Sequence, residues 1–146
     1  DAQIILLGPG SLYTSIIPNL AVQGIRDALH ASKALKIYVC NVAIQRGETE
    51  GYSSSDHLEA LLHHTNDELV DLMLVNTAPP PTSNDHTDYT FVDPGTETMI
   101  HNIRTIGFDL VNESIPIHHD PLKLAHAVFG VYHSNKYIKK KNTHLK

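Results

Sequence analysis

The chain has 146 residues, with 11 Lys and Arg against 16 Asp and Glu, a formal net charge of -5, 41% hydrophobic residues, 6% aromatic residues, no Trp and one Cys. That balance allows a single domain with an aliphatic core and excludes a disordered, collagen-like or disulfide-stapled chain. The acidic excess argues against a broad nucleic-acid surface, and no apolar run reaches the ~20 residues that cross a bilayer as a helix.

Taken in chain order, the first element is the apolar run Gln3 to Leu7, stopped by Gly8-Pro9-Gly10. Ile25, Ala28, Leu29 and Ser32 then repeat at i, i+3, i+4, i+7, which predicts a helix over Val22–Ser32. Lys36 to Cys40 is a second strand-like run, ended by Asn41. Ser53-Ser54-Ser55-Asp56 offers helix N-caps and an acidic first turn. Leu58, Leu61, Leu62 and Thr65 continue that helix. Leu72 to Asn76 is a third strand-like run. Short, near-continuous apolar runs alternating with amphipathic helices predict an α/β fold, a Rossmann-like three-layer sandwich on a mainly parallel sheet, with its strands buried on both faces.

Prolines in the stretch Ala78 to Asp88 predict an extended loop. Beyond it the reading is a short strand at Tyr89–Val92, a weak helix at Met99–Ile106 and a short strand at Phe108–Val111. Asp120-Pro121 then opens a helix, with Asp120 as N-cap and Pro121 at its first position. Leu124, Ala125, Val128, Phe129 and Tyr132 give that helix its apolar stripe. Residues 1–135 form the α/β unit. Residues 136–146 carry Lys136, Lys139, Lys140, Lys141 and Lys146, a basic tail read as solvated chain end rather than a contact for acidic lipid or RNA.

In an open α/β sheet, ligands bind outside the carboxyl ends of the strands, which directs attention to three loops. The first is Gly8-Pro9-Gly10-Ser11-Leu12-Tyr13-Thr14-Ser15-Ile16-Ile17-Pro18-Asn19. Glycines bring backbone N–H groups close to an anion, and Ser11, Thr14 and Ser15 add hydroxyls, so the segment is a candidate phosphate cradle. It matches neither GxGxxG nor the P-loop, and a plain strand-to-helix turn is the competing reading. The second loop holds Asn41, Gln45, Arg46, Gly47, Glu48, Thr49 and Gly51. Asn and Gln amides read sugar or base edges, Arg46 pairs with phosphate, and Glu48 is a candidate base or a loop acceptor. Asn76 ends the third strand at the same edge. The histidines, including His57, His63, His64, His118 and His119, show no HExxH or other ligand spacing, so no metal site is expected among them. His119 stands apart because it directly precedes a helix start.

The run Gln3-Ile4-Ile5-Leu6-Leu7-Gly8-Pro9-Gly10-Ser11-Leu12-Tyr13-Thr14-Ser15-Ile16-Ile17-Pro18-Asn19-Leu20, followed by Tyr38-Val39-Cys40-Asn41, then Gln45, Gly47-Glu48-Thr49 and Gly51-Tyr52, resembles the gluconeogenesis factor (YvcK) branch of the YvcK/CofD family, also known as UPF0052. The resemblance extends to His119-Asp120-Pro121 and Lys123-Leu124-Ala125, and spans Ile4 to about Phe129. It implies a Rossmann-like fold with a ligand crevice at the strand ends. By this resemblance Gly8, Gly10, Ser11, Thr14 and Ser15 would hold phosphate there, and Asn41, Gln45, Glu48 and Thr49 would line the neighbouring wall; Asn19 and Asn76 join them as candidates from their place at the strand ends.

The YvcK branch implies a non-catalytic UDP-sugar binder in the cytoplasm, linked to carbon metabolism and cell shape. The CofD branch implies a transferase that moves a phospholactyl group from a nucleotide diphosphate donor to a deazaflavin alcohol, with magnesium held elsewhere in a complete protein. The third reading is a structural or oligomerisation segment, a homodimer being the default for such folds. Tyr13 in the first loop favours the YvcK branch. Ile44 and Arg46 depart from the Thr and Pro usual around the Gln of the second loop. The family's Gly-rich opening loop and acidic residues are not in this sequence, which leads to the expectation that it corresponds to the C-terminal part of a family member.

Overall fold

The computed structural model describes residues 2–65, 69–79 and 89–143, with side chains as far as Asn135. Most of the Pro-rich loop predicted at Ala78–Asp88, and the side chains of the basic tail, lie outside the described residues.

Five strands form one sheet in the order β1-β2-β3-β5-β4, where β1 is Ile4–Leu7, β2 Leu35–Val39, β3 Leu72–Asn76, β4 Met99–Ile100 and β5 Ile103–Phe108. The first four positions in this order are parallel, with Leu6 beside Ile37, Val39 beside Leu74, and Asn76 beside Phe108. Only β4 runs antiparallel, against β5. The helices are α1 (Ile17–Ala21), α2 (Gln23–Ala31), α3 (Ser54–Thr65) and α4 (Pro121–Thr143).

Two hydrophobic clusters sandwich the sheet. On one face Leu12, Ile16, Leu20, Leu29, Leu58 and Leu61 pack against Tyr38 and Met73. On the other, Ala127, Val128 and Val131 of α4 pack against Ile37, Val39, Leu72 and Leu74. The three-layer α/β expectation is therefore met. Alternate residues of β2 and β3 feed opposite clusters, which is why these two strands are apolar apart from Lys36 and Asn76. β1 differs from the expected doubly buried strand. It is an edge strand here, and its Leu6 is 44% exposed.

The helices α3 and α4 begin as their sequences dictate. Ser53 Oγ accepts from the Asp56 amide at 3.2 Å while the Asp56 carboxylate accepts from the Ser53 amide at 2.8 Å, a reciprocal box that starts α3. Asp120 Oδ1 accepts from the Leu122 and Lys123 amides, both at 2.9 Å, and Pro121 follows as expected. The backbone of α4 stays helical through Thr143, so no helix break marks residue 135. Its buried stripe includes Ala127 and Val131, while Phe129 is 57% exposed.

Three expected elements are corrected. Met99–Ile106 is a hairpin rather than a helix. His101 (φ 46°) and Asn102 (φ 65°) form a two-residue turn with positive φ at both positions, and Ile103 and Thr105 alternate inward along β5. The strand expected at Phe108–Val111 ends at Phe108. Tyr89–Val92 joins no strand of the sheet. Phe91 instead bridges Ala43, with Ile44 donating to the Thr90 carbonyl at 2.8 Å and Val92 to that of Val42 at 3.0 Å.

Candidate functional site

The carboxyl ends of β1 and β2 open into a crevice of about 900 Å3. Its walls come from Gly10 and Ser11 after β1, Asn41 to Arg46 after β2, Tyr89 and Thr90, and Ile117 to His119 before α4. The Tyr89–Thr90 wall was missed from sequence because the pairing that places it is made by a loop, not by a strand with its own pattern.

The first loop is shorter than it reads. A π-helical turn occupies Leu12–Ile16, with Ser11 as its N-cap. The amides of Ser15 and Ile16 both donate to the Ser11 carbonyl, at 3.0 and 2.9 Å. The Ser11 hydroxyl accepts from the Thr14 amide at 3.1 Å and the Thr14 hydroxyl at 2.5 Å, and itself donates to Glu48 at 2.5 Å. Thr14 Oγ1 also reaches the other Glu48 oxygen, at 3.3 Å. A carboxylate thus already sits at this helix start, where a helix dipole favours negative charge. Two of the expected phosphate donors meet Glu48 across the two loops.

Gly8 underlies this arrangement. Its φ is 90°, and a Cβ there would lie 2.9 Å from the Val39 carbonyl oxygen and 3.2 Å from Ile16 Cδ1. Ser15 and Asn19 fall on a different surface, a small hollow of about 240 Å3 against β1 and α2. There the Asn19 amide donates to the Ser15 carbonyl at 2.6 Å. The structure therefore keeps Gly10 and Ser11 in the crevice and leaves Thr14, Ser15 and Asn19 out of its lining.

The second loop splits similarly. Asn41 and Gln45 line the crevice, their side chains 3.4 Å apart. Thr49 is fully buried, its hydroxyl accepting from the Gln45 amide at 3.0 Å, and so acts as a staple within the turn. Asn76 is also structural. Its carbonyl oxygen accepts from the Leu110 amide at 3.0 Å and the Ala78 amide at 3.3 Å, tying β3 to the segment after β5.

His119 is the titratable group best placed for chemistry. It bridges Val111 through its backbone, and its Nε2 lies 3.1 Å from the Cys40 carbonyl oxygen. A carbonyl can only accept, so Nε2 carries the proton and Nδ1 keeps its lone pair. Burial lowers the His119 pKa, against the raising effect of the Cys40 carbonyl, so the ring is neutral at pH 7. The Cys40 thiol is fully buried and pushed up to about 12 by desolvation, which leaves it inert as a nucleophile. Among the described residues no group of three or more His, Cys, Asp or Glu is placed to hold a metal ion.

Comparison with known proteins places this geometry. The family model described as 2-phospho-L-lactate transferase CofD matches residues 1–115. The chain belongs to the CofD family. A gluconeogenesis factor from Halalkalibacterium halodurans is 53% identical over 78 residues, covering 53% of this chain and 24% of that protein. A relative from Thermoanaerobacterium thermosulfurigenes is 38% identical over 144 residues, 90% of this chain and 42% of its own length. The crystal structure of a UPF0052 family member from Bacillus halodurans superposes with a TM-score of 0.75 at 37% identity, covering 88% of this chain and 43% of that one.

These relatives place the CofD-family chain with the gluconeogenesis factors, as its first loop implied. It spans less than half the length of each of them. The match takes in residues 1–115 and lends no support to a C-terminal placement. No helix among the described residues is long and apolar enough to cross a membrane.

Proposed function

We propose that the crevice at the ends of β1 and β2 binds a nucleotide diphosphate sugar, a UDP-sugar by family likeness, and that the whole protein uses this binding to regulate carbon metabolism and cell shape rather than to catalyse. The observation that carries the reading is the joining of two adjacent strand-end loops around one crevice of ligand size. Gly10 offers backbone, Arg46 positive charge, and Asn41 and Gln45 amides. The diphosphate lies toward Gly10 and Arg46, not against the Ser11–Thr14–Glu48 network, whose hydroxyls already face a carboxylate.

The test is thermal unfolding of the protein with UDP-N-acetylglucosamine. A ligand at 100 times its Kd stabilises by about 2.7 kcal/mol, which raises the Tm measurably. No shift with any UDP-sugar defeats the reading.

A second reading has its own observation. His119 presents a neutral ring with a defined tautomer to the crevice, as a base that accepts a proton from an alcohol requires. In a phospholactyl transferase of the CofD type, it would take the proton of the deazaflavin hydroxyl. Turnover with a phospholactyl nucleotide donor and a deazaflavin acceptor, lost in His119→Ala, would favour this reading over the first.

A further inference from the structure

A second cavity, of about 960 Å3, lies against α3. It is an open surface hollow that shares Glu50 with the strand-end crevice, so the two adjoin on one surface. Their chemistry differs. The crevice contains Arg46 beside the shared Glu50. Among the described residues the second hollow has no Lys or Arg in its lining; its polar and aromatic groups are the carboxylates Glu50, Asp56 and Glu59, three histidines, and the rings of Tyr13 and Tyr52.

An anionic group meets a cation, Arg46, in the crevice, whereas the second hollow offers it three carboxylates. A neutral, hydroxyl-rich group suits the second, because carboxylates accept O–H bonds and aromatic faces cover the C–H face of a sugar ring.

The aromatic wall is built in place. The Tyr13 and Tyr52 hydroxyls are 2.8 Å apart, and the rings meet edge-on with centroids 6.4 Å apart. The Tyr13 ring also meets His64 at 5.7 Å. Tyr52 rests edge-on against His57, a fully buried ring whose Nδ1 lies 2.8 Å from the Ser53 carbonyl oxygen. His64 is fixed in turn by Nδ1 at 2.8 Å from the Ala60 carbonyl oxygen. The bond from Tyr52, with burial, raises Tyr13 to about 12, so the phenol stays neutral.

Two of the three carboxylates are already committed. Glu50 accepts from the Gly47 amide and Asp56 caps α3. Glu59 is different, with His101 Nε2 at 3.6 Å and its side chain 58% exposed.

We propose that this Tyr13–Tyr52–His64 hollow is the sugar subsite of the nucleotide-sugar site, with Glu59 accepting hydroxyl bonds from the sugar while the diphosphate lies in the neighbouring crevice, toward Gly10 and Arg46. The inference rests on the proposed nucleotide-sugar reading, and it gives this protein a way to prefer UDP-sugars over UDP.

Isothermal titration calorimetry of the protein with UDP and with UDP-N-acetylglucosamine tests it, on the unaltered chain and on Glu59→Ala and His64→Ala. Both altered side chains are on the surface, so the variants fold, and circular dichroism checks this. The expected result is UDP-N-acetylglucosamine binding about tenfold tighter than UDP, with each variant losing about fivefold or more for the UDP-sugar and less than about twofold for UDP. Equal binding of UDP and UDP-sugar, or variants that weaken both alike, overturns the sugar subsite and leaves the crevice reading standing. Absence of binding by either ligand to the unaltered protein overturns both.

Discussion

The loops that leave β1 and β2 look alike in sequence, and the structure uses them differently. Each follows a largely apolar strand and carries two glycines, the first loop adding Ser, Thr and Asn and the second Asn, Gln, Glu and Thr. The first spends its polarity inward. Ser11 caps a helical turn, Thr14 bonds Ser11, and Gly8 lets the chain pass beneath the Val39 carbonyl. The second holds its turn with the buried Thr49 and the Glu50–Gly47 bond, and leaves Asn41, Gln45 and Arg46 on the crevice. A polar loop at a strand end is therefore a candidate binding loop where its side chains line the crevice rather than cap its own turns.

The largest effect should come from Gly8. A side chain there meets the Val39 carbonyl oxygen at 2.9 Å with φ at 90°, so both contact and backbone are strained. Gly8→Ala should cost about 3 kcal/mol of unfolding free energy in urea titration. A loss below about 1 kcal/mol would show that the first loop is not packed as tightly as described. Asn76 extends the comparison to the third strand end. Asn76→Ala leaves the buried Leu110 amide without its acceptor and should cost about 2 kcal/mol.

Glu48 joins the two loops, and its removal separates stability from binding. Glu48→Gln weakens a charge-assisted bond to Ser11 and should cost about 1 kcal/mol in stability. The same change removes a negative charge beside the crevice, so affinity for a UDP-sugar should rise, by about twofold to threefold. Reduced affinity would mean that Glu48 itself contacts the ligand.

The pH dependence tests the crevice from its other wall. Burial depresses the His119 pKa below the usual 6.5, and His57 is depressed for the same reason. The neutral rings therefore stabilise the fold fully above about pH 6.5, and that contribution is lost as pH falls through the lower folded values. The Tm should fall between pH 7.5 and pH 5, and His119→Asn should flatten part of that slope. An unchanged slope would place His119 in solvent.

How much of this was legible follows from where each signal resides. β2, β3, α3 and the start of α4 carry their own periodicity and caps, so sequence alone finds them. The β4–β5 hairpin does not. Its turn residues His101 and Asn102 are not the Asn-Gly pair that marks such turns, and its strands are short. The crevice was legible as a strand-end location, and Gly10, Ser11, Asn41 and Gln45 do line it. Its Tyr89 and Thr90 wall was not, because it depends on a long-range bridge between two loops. The inward turn of Ser11 and Thr14 was hidden for a related reason. It is set by Glu48, which lies 37 residues from Ser11 along the chain.

The smallest expected effect is the sharpest test of the two-loop comparison. If Ser11 and Thr14 were phosphate donors, Ser11→Ala and Thr14→Ala would each weaken ligand binding by about 1 kcal/mol, the worth of a neutral hydrogen bond. In this geometry their hydroxyls bond each other and Glu48, so the loss should fall on stability instead. Calorimetry on Thr14→Ala, whose side chain is outside the crevice lining, should give a Kd within about twofold of the unaltered protein. The Tm should drop by a few degrees, as about 1 kcal/mol does in a domain of this size. A tenfold loss of affinity with an unchanged Tm would reverse the assignment, returning the first loop to ligand binding and requiring Glu48 to move aside when the ligand enters.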